Sequence, residues 1–110
     1  SGPYIQLRSE DGVVESGWGG RADAGTFTMT DGQPFEIDVT AYGDNTKQLR
    51  RLEIQGDNVD GRMHLYGEVS ANSGTLKFSG RGDGNLVGTY LAVALFDTGY
   101  AYIDFKLQLA

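Results

Sequence analysis

The chain has one histidine, His64, and no cysteine. A Ser-His-Asp nucleophilic site would need that histidine beside a serine and an acid. No Gly-x-Ser-x-Gly elbow occurs to supply the serine. A histidine-cluster metal site is excluded by count. The absence of cysteine excludes disulfides, thiolate chemistry, Cys-ligated zinc and iron–sulfur clusters. Two acidic runs, Asp57-Asn58 with Asp60 and Gly82-Asp83-Gly84-Asn85, resemble oxygen-rich calcium loops. Neither has the spacing and terminal glutamate of an EF-hand, and turn chemistry accounts for both. Arg81-Gly82-Asp83 reads as a turn on the same ground. There is no Asn-x-Ser/Thr acceptor. No catalytic set, metal set or cofactor motif emerges.

What remains is binding chemistry. Trp18, the only tryptophan, lies in the cluster Gly17-Trp18-Gly19-Gly20 ahead of Arg21. A flat indole suits stacking on a sugar face or an aromatic ligand, or plugging the end of a core. Tyr66, Tyr90, Tyr100 and Tyr102 supply further rings. Arg21, His64, Asp104 and Gln108 supply groups that would orient a ligand. Asp104 is the sharpest case. If it points into a cavity beside Ala92, near Tyr90 and Tyr102, burial raises its pKa unless Lys106, Arg21 or a tyrosine hydroxyl compensates. If its face is solvent, it is a surface charge.

The elements that must position these groups are short and alternating. Seventeen glycines and two prolines punctuate the 110 residues, an all-β pattern. Strands are predicted over 4–8, 13–18, 26–30, 35–42, 51–56, 62–69, 75–79, 86–96 and 100–109. No segment holds a 3.6-residue period for three turns, and short links favour a meander. Apolar and polar residues separate by face, as with Phe35, Ile37, Val39 and Ala41 against Glu36, Asp38, Thr40 and Tyr42. A two-residue turn at Asp60-Gly61 would pair Asp57 with His64 and Gln55 with Tyr66. A three-residue loop with Gly32 left-handed would pair Phe27 with Ile37. The Asp97-Thr98-Gly99 loop would pair Leu95 with Ala101 and Leu91 with Phe105. The segment 86–96 is apolar on both faces and must be covered on both. Its small residues beside aromatics either line a ligand cavity or serve close packing.

Length suits one domain over 1–110. Ser1-Gly2-Pro3 reads as an expression scar or a trimmed start. No apolar run approaches membrane-spanning length. The net charge is −6, and Arg50-Arg51 is the only adjacent basic pair. Neither nucleic acid nor an anionic membrane is therefore an expected partner. Nothing in the sequence indicates a cellular compartment.

From Gly20 onward the chain resembles the dirigent and allene oxide cyclase type of β-barrel. The matching pieces are Gly20-Arg21-Ala22 ahead of a Phe strand, Leu52-Glu53-Ile54-Gln55-Gly56-Asp57, Val69, Gly74-Thr75, Phe78 and Arg81-Gly82. That resemblance implies a barrel and, for function, a cyclase or isomerase that shapes its substrate. Trp18-Gly19, Gly32-Gln33-Pro34-Phe35-Glu36-Ile37 and residues 52–57 are also similar to pieces of galectins. That family's His-Asn-Arg sugar-binding strand has no counterpart here.

The expectation is therefore an all-β single antiparallel meander of eight or nine strands. It forms a barrel or, alternatively, a two-sheet sandwich. Its leading function is a non-catalytic binding module for a small organic ligand or glycan. The alternatives are a small barrel cyclase and a structural or protein-interaction β domain. Strand 100–109 runs to the chain end unguarded except for Lys106, so either the barrel closes or two chains form a homodimer through their edges.

Overall fold

The computed structural model describes residues 2–110; Ser1, the first residue of the expected scar, lies outside the described residues. Ten strands form: β1 (Tyr4–Ser9), β2 (Gly12–Gly17), β3 (Arg21–Met29), β4 (Pro34–Tyr42), β5 (Leu49–Asn58), β6 (Gly61–Tyr66), β7 (Glu68–Ser70), β8 (Ser73–Arg81), β9 (Gly88–Phe96) and β10 (Tyr100–Leu109). Among the described residues the only helical element is a 3₁₀ turn, Gly84–Leu86. The strands build two five-stranded sheets, ordered β2-β1-β4-β8-β7 and β3-β10-β9-β5-β6. This is the two-sheet sandwich; the sheets do not close into a barrel.

The alternation read from the sequence decides what lies between the sheets. Ile5, Leu7, Ile37, Val39, Leu76 and Phe78 project from the first sheet. Leu52, Ile54, Ala92, Ala94, Ile103 and Phe105 meet them from the second, all buried. The interior is filled by these side chains, so the barrel cavity expected of a cyclase does not form.

Three departures from a meander set the topology. First, β3 does not pair with β4. It pairs in parallel with β10, Tyr102 opposite Arg21 and Leu107 opposite Phe27. Gly32 is left-handed as expected, with φ +72°. It helps the chain cross from one sheet to the other, and its amide bonds the Gly82 carbonyl at 2.8 Å. Second, the expected strand 62–69 breaks at Gly67, with β6 and β7 in opposite sheets. The Gly67 amide bonds Leu52 O at 2.8 Å. A Cβ there would stand 2.7 Å from Thr75 O, so only glycine allows this close crossing. Third, β10 is an interior strand between β9 and β3. The open last edge, and dimerisation through it, are thereby corrected.

Two hairpin registers also differ. Asn58 pairs with Gly61, Asp57 with Arg62 and Gln55 with His64. The loop is Val59-Asp60, closed by the Asn58 side chain accepting from the Asp60 amide at 2.9 Å. This slip of two residues leaves every side chain on its expected face. The β9–β10 hairpin slips by one, because Phe96 N bonds Gly99 O at 3.0 Å and closes a tighter turn. Leu95 therefore pairs with Tyr100, Ala92 with Ile103 and Leu91 with Asp104. A one-residue slip exchanges faces. The small residues of β9 face the core, and Asp104 stands beside Leu91 rather than Ala92.

Tyr90 locks one end of the sandwich. Its ring stacks on Phe105 at 5.2 Å between centroids. Its hydroxyl donates to the Leu86 carbonyl at 2.5 Å and accepts from Asn58 Nδ2 at 3.1 Å. Burial pushes the phenol pKa up, with the Asn58 hydrogen bond working the other way.

Candidate functional site

The register places side chains in rows across the outer face of the β3-β10-β9-β5-β6 sheet. One row runs Arg21, Tyr102, Val93, Glu53, Tyr66. The next runs Asp23, Asp104, Leu91, Gln55, His64. A third runs Thr26, Lys106, Thr89, Asp57, Arg62, and a shorter one Tyr100, Leu95, Arg51. The centre is the aliphatic strip Leu91, Val93, Leu95 of β9, flanked by tyrosines.

Two groups of polar side chains on this face are tied together. The Arg21 Nε and Nη2 donate to the two Asp104 oxygens at 2.6 and 2.8 Å. The Arg21 guanidinium lies 5.5 Å from the Tyr102 ring centre. Tyr102 in turn stacks on Tyr100, centroids 4.2 Å apart and planes within 17°. The Arg21 hydrogen bonds hold the Asp104 carboxyl below the ordinary aspartate range, although partial burial works the other way.

A second cluster surrounds Glu53, which is only 4% exposed although it belongs to an outer face. It accepts from Gln55 Nε2 at 2.6 Å and pairs with Arg51 Nε at 2.9 Å. His64 Nε2 lies 3.8 Å away, and the His64 ring stacks on Tyr66 at 5.8 Å. The side chains that bind the carboxylate also cover it, which is how such a group is held out of water. Val93 beside it is equally hidden, at 6%.

Of the nine residues singled out from sequence, Arg21, His64, Tyr66, Tyr100, Tyr102, Asp104 and Gln108 share this face. Tyr90 does not, because its ring belongs to the core. Gln108 stands at the far end of β10, donating to Thr28 Oγ1 at 3.1 Å. Trp18 closes one end of the sandwich, 44% exposed. Its indole N–H donates to Thr98 O at 2.6 Å, and Lys47 Nζ sits 4.6 Å from its ring centre. It pins the β2–β3 crossover to the β9–β10 loop and lies apart from the other aromatics. Glu53, Arg51, Leu91, Val93 and Leu95 were not singled out. Their signal was the two-sided apolarity of β9, which requires a cover on its outer face.

Beside the strip lies a depression of about 370 Å³ bordered by Arg21, Gln55, Asp57, Arg62, His64 and Asp104. Among the described residues no three His, Asp or Glu side chains stand as a metal-binding group. Asp83 accepts from the Asn85 amide at 2.9 Å and caps the 3₁₀ turn. Both oxygen-rich runs thus make turns.

No family model matches the chain, and no curated protein matches it. Among solved structures it is similar to a chain of the crystal structure of the titin M10–obscurin-like 1 Ig complex. The TM-score is 0.51 and the identity 12%, over 100% of this chain and 96% of that one. At this identity the likeness shows the fold alone. Tyr90 fits it physically: a tyrosine near the start of the penultimate strand, hydrogen-bonded to backbone upstream, is a hallmark of immunoglobulin-type sandwiches. Ala92, two residues on, stands where antibody domains place a disulfide cysteine. The chain is an all-β, two-sheet sandwich similar in fold to immunoglobulin domains.

Proposed function

We propose that this is a non-catalytic protein-interaction domain, that its docking surface is the outer face of the β3-β10-β9-β5-β6 sheet, and that it docks a second copy of the chain. One observation carries the reading. The rows of that face hold four cations, Arg21, Arg51, Arg62 and Lys106, and four carboxylates, Asp23, Glu53, Asp57 and Asp104, with Arg50 in the adjoining bulge. The chain as a whole carries −6, so the negative excess lies elsewhere. Two copies repel through their other surfaces and meet at least electrostatic cost through this one.

The face also has the composition of an interface centre, with tyrosine and arginine side chains around an apolar strip that is exposed at Leu95, half-buried at Leu91 and buried at Val93. Two of its ion pairs, Arg21–Asp104 and Arg51–Glu53, are already formed and the Tyr100–Tyr102 and His64–Tyr66 rings already stacked, so docking freezes little further motion in these groups. A self-complementary patch suits a two-fold dimer. The solved neighbour comes from a protein complex, which adds weight by fold analogy only.

Sedimentation velocity over a concentration series tests this. The wild type should show a reversible monomer–dimer equilibrium. Leu95→Arg should abolish it, and Val59→Arg, at the exposed β5–β6 tip, should not. A monomer at every concentration, or a dimer indifferent to Leu95→Arg, would overturn the proposal. A second reading, a small ligand or glycan held against His64 and Tyr66, is favoured by the neighbouring depression. Glycan-array binding lost in Tyr66→Ala would support it.

A further inference from the structure

The two sheets part on the side where β1 and β2 lie over β10 and β3. A cleft of about 390 Å³ opens there between the β1–β2 turn, the second half of β3 and the start of β4. None of the nine residues singled out from sequence lines it. Just ahead of the cleft-lining residues, β3 is irregular. Gly25 has φ +82°, its amide bonds the Asp23 carboxylate at 2.8 Å, and the β3–β10 register shifts between Asp104 and Lys106. Such a bulge bends its strand.

Apolar side chains form the floor, and Ser9, Thr26, Thr28, Thr30 and Gln33 add polar groups to the walls. Met29, Ile37 and Leu107 are buried, and Phe27 and Phe35 are only partly covered. The lip carries Glu10, Asp11 and Glu36, and no Lys, Arg or His lines the cleft. Glu36 is engaged by Lys77 at 3.4 Å. Glu10 and Asp11 make no ion pair among the described residues.

We propose that this cleft binds a small aromatic ammonium compound, its ring against Phe27 and Phe35 and its cationic head at Glu10 and Asp11. The volume is at the lower end of the roughly 300–1,000 Å³ typical of small-molecule sites. An anionic head would meet two unpaired carboxylates on a chain of net charge −6, whereas a cation is drawn to them. Aromatic rings meet one another favourably edge to face or offset. The head group is wet, so its contribution is modest and falls with salt.

The test is a ¹H–¹⁵N NMR titration of the full chain with phenethylammonium, and separately with phenethyl alcohol and hydrocinnamate. The three share a ring and differ in charge. Amides of Phe27, Thr28, Phe35, Glu10 and Asp11 should shift. The cation should bind tightest, by a few-fold over the alcohol and about tenfold over the anion. In the double variant Glu10→Gln, Asp11→Asn, cation and alcohol should bind equally, with the remaining spectrum unchanged. Absence of shifts in the cleft, equal binding of the three compounds, or a cation preference surviving in the double variant would overturn the proposal.

Discussion

Arg21 grips Asp104 with two hydrogen bonds across the parallel β3–β10 pair, although register sets Arg21 opposite Tyr102 and Asp104 opposite Asp23. Two carboxylates directly across a sheet repel. The diagonal reach of Arg21 offsets this, while the Asp23 carboxylate bonds the Gly25 amide.

The folded-state pKa of Asp104 is lowered. Its contribution to stability is therefore present above the ordinary aspartate range and lost as pH falls through the lowered value. Asp104→Asn should cost about 0.2–1 kcal/mol at neutral pH, as for an exposed ion pair. The cost should vanish in acid. Denaturant midpoints at both pH values check this. An Asp104 carboxyl that titrates by NMR at or above the ordinary value would contradict it.

Tyr90→Phe should destabilise the domain by about 1–3 kcal/mol. It leaves the Leu86 carbonyl without its side-chain donor and the Asn58 amide with only the weak Met63 sulfur as acceptor, while keeping the stacked ring. Urea unfolding measures the loss. An unchanged midpoint would mean that the hydroxyl does not hold the corner.

Gly56→Ala should cost about 1–3 kcal/mol by overpacking. A Cβ there would come within 2.6 Å of the Tyr90 ring and 2.7 Å of Met63 Cγ, and the ring is held by Phe78 and Phe105. Thermal unfolding of the variant reports the cost. Wild-type stability would show that the ring can yield.

Side-chain alternation made the faces legible before the fold was known. Phe35, Ile37, Val39 and Ala41 point inward together, as do Ala101, Ile103, Phe105 and Leu107. Alternation says nothing about which sheet receives a strand. The chain's crossing at Gly32 therefore read as a hairpin, and β6 and β7 read as one strand. Asp97-Thr98-Gly99 read as a three-residue loop, and the resulting one-residue slip placed Asp104 over Ala92. Seven of the nine residues singled out from sequence lie on one face because they alternate on strands that the second sheet collects. Glu53 was passed over because alternation sets it on a polar face with Arg51 and Gln55, and its burial is completed only by the neighbouring strands, Val93 of β9 on one side and Tyr66 and His64 of β6 on the other. Only pairing brings the β6 and β9 residues to it.

Isotope-filtered NMR on an equimolar mixture of ¹³C-labelled and unlabelled chains tests the central claim most directly. Intermolecular contacts should run from the Leu91, Val93 and Leu95 methyls to the rings of Tyr66, Tyr100 and Tyr102. Their absence at high concentration, or contacts arising from β2 or β7 at the edges of the other sheet instead, would contradict the account.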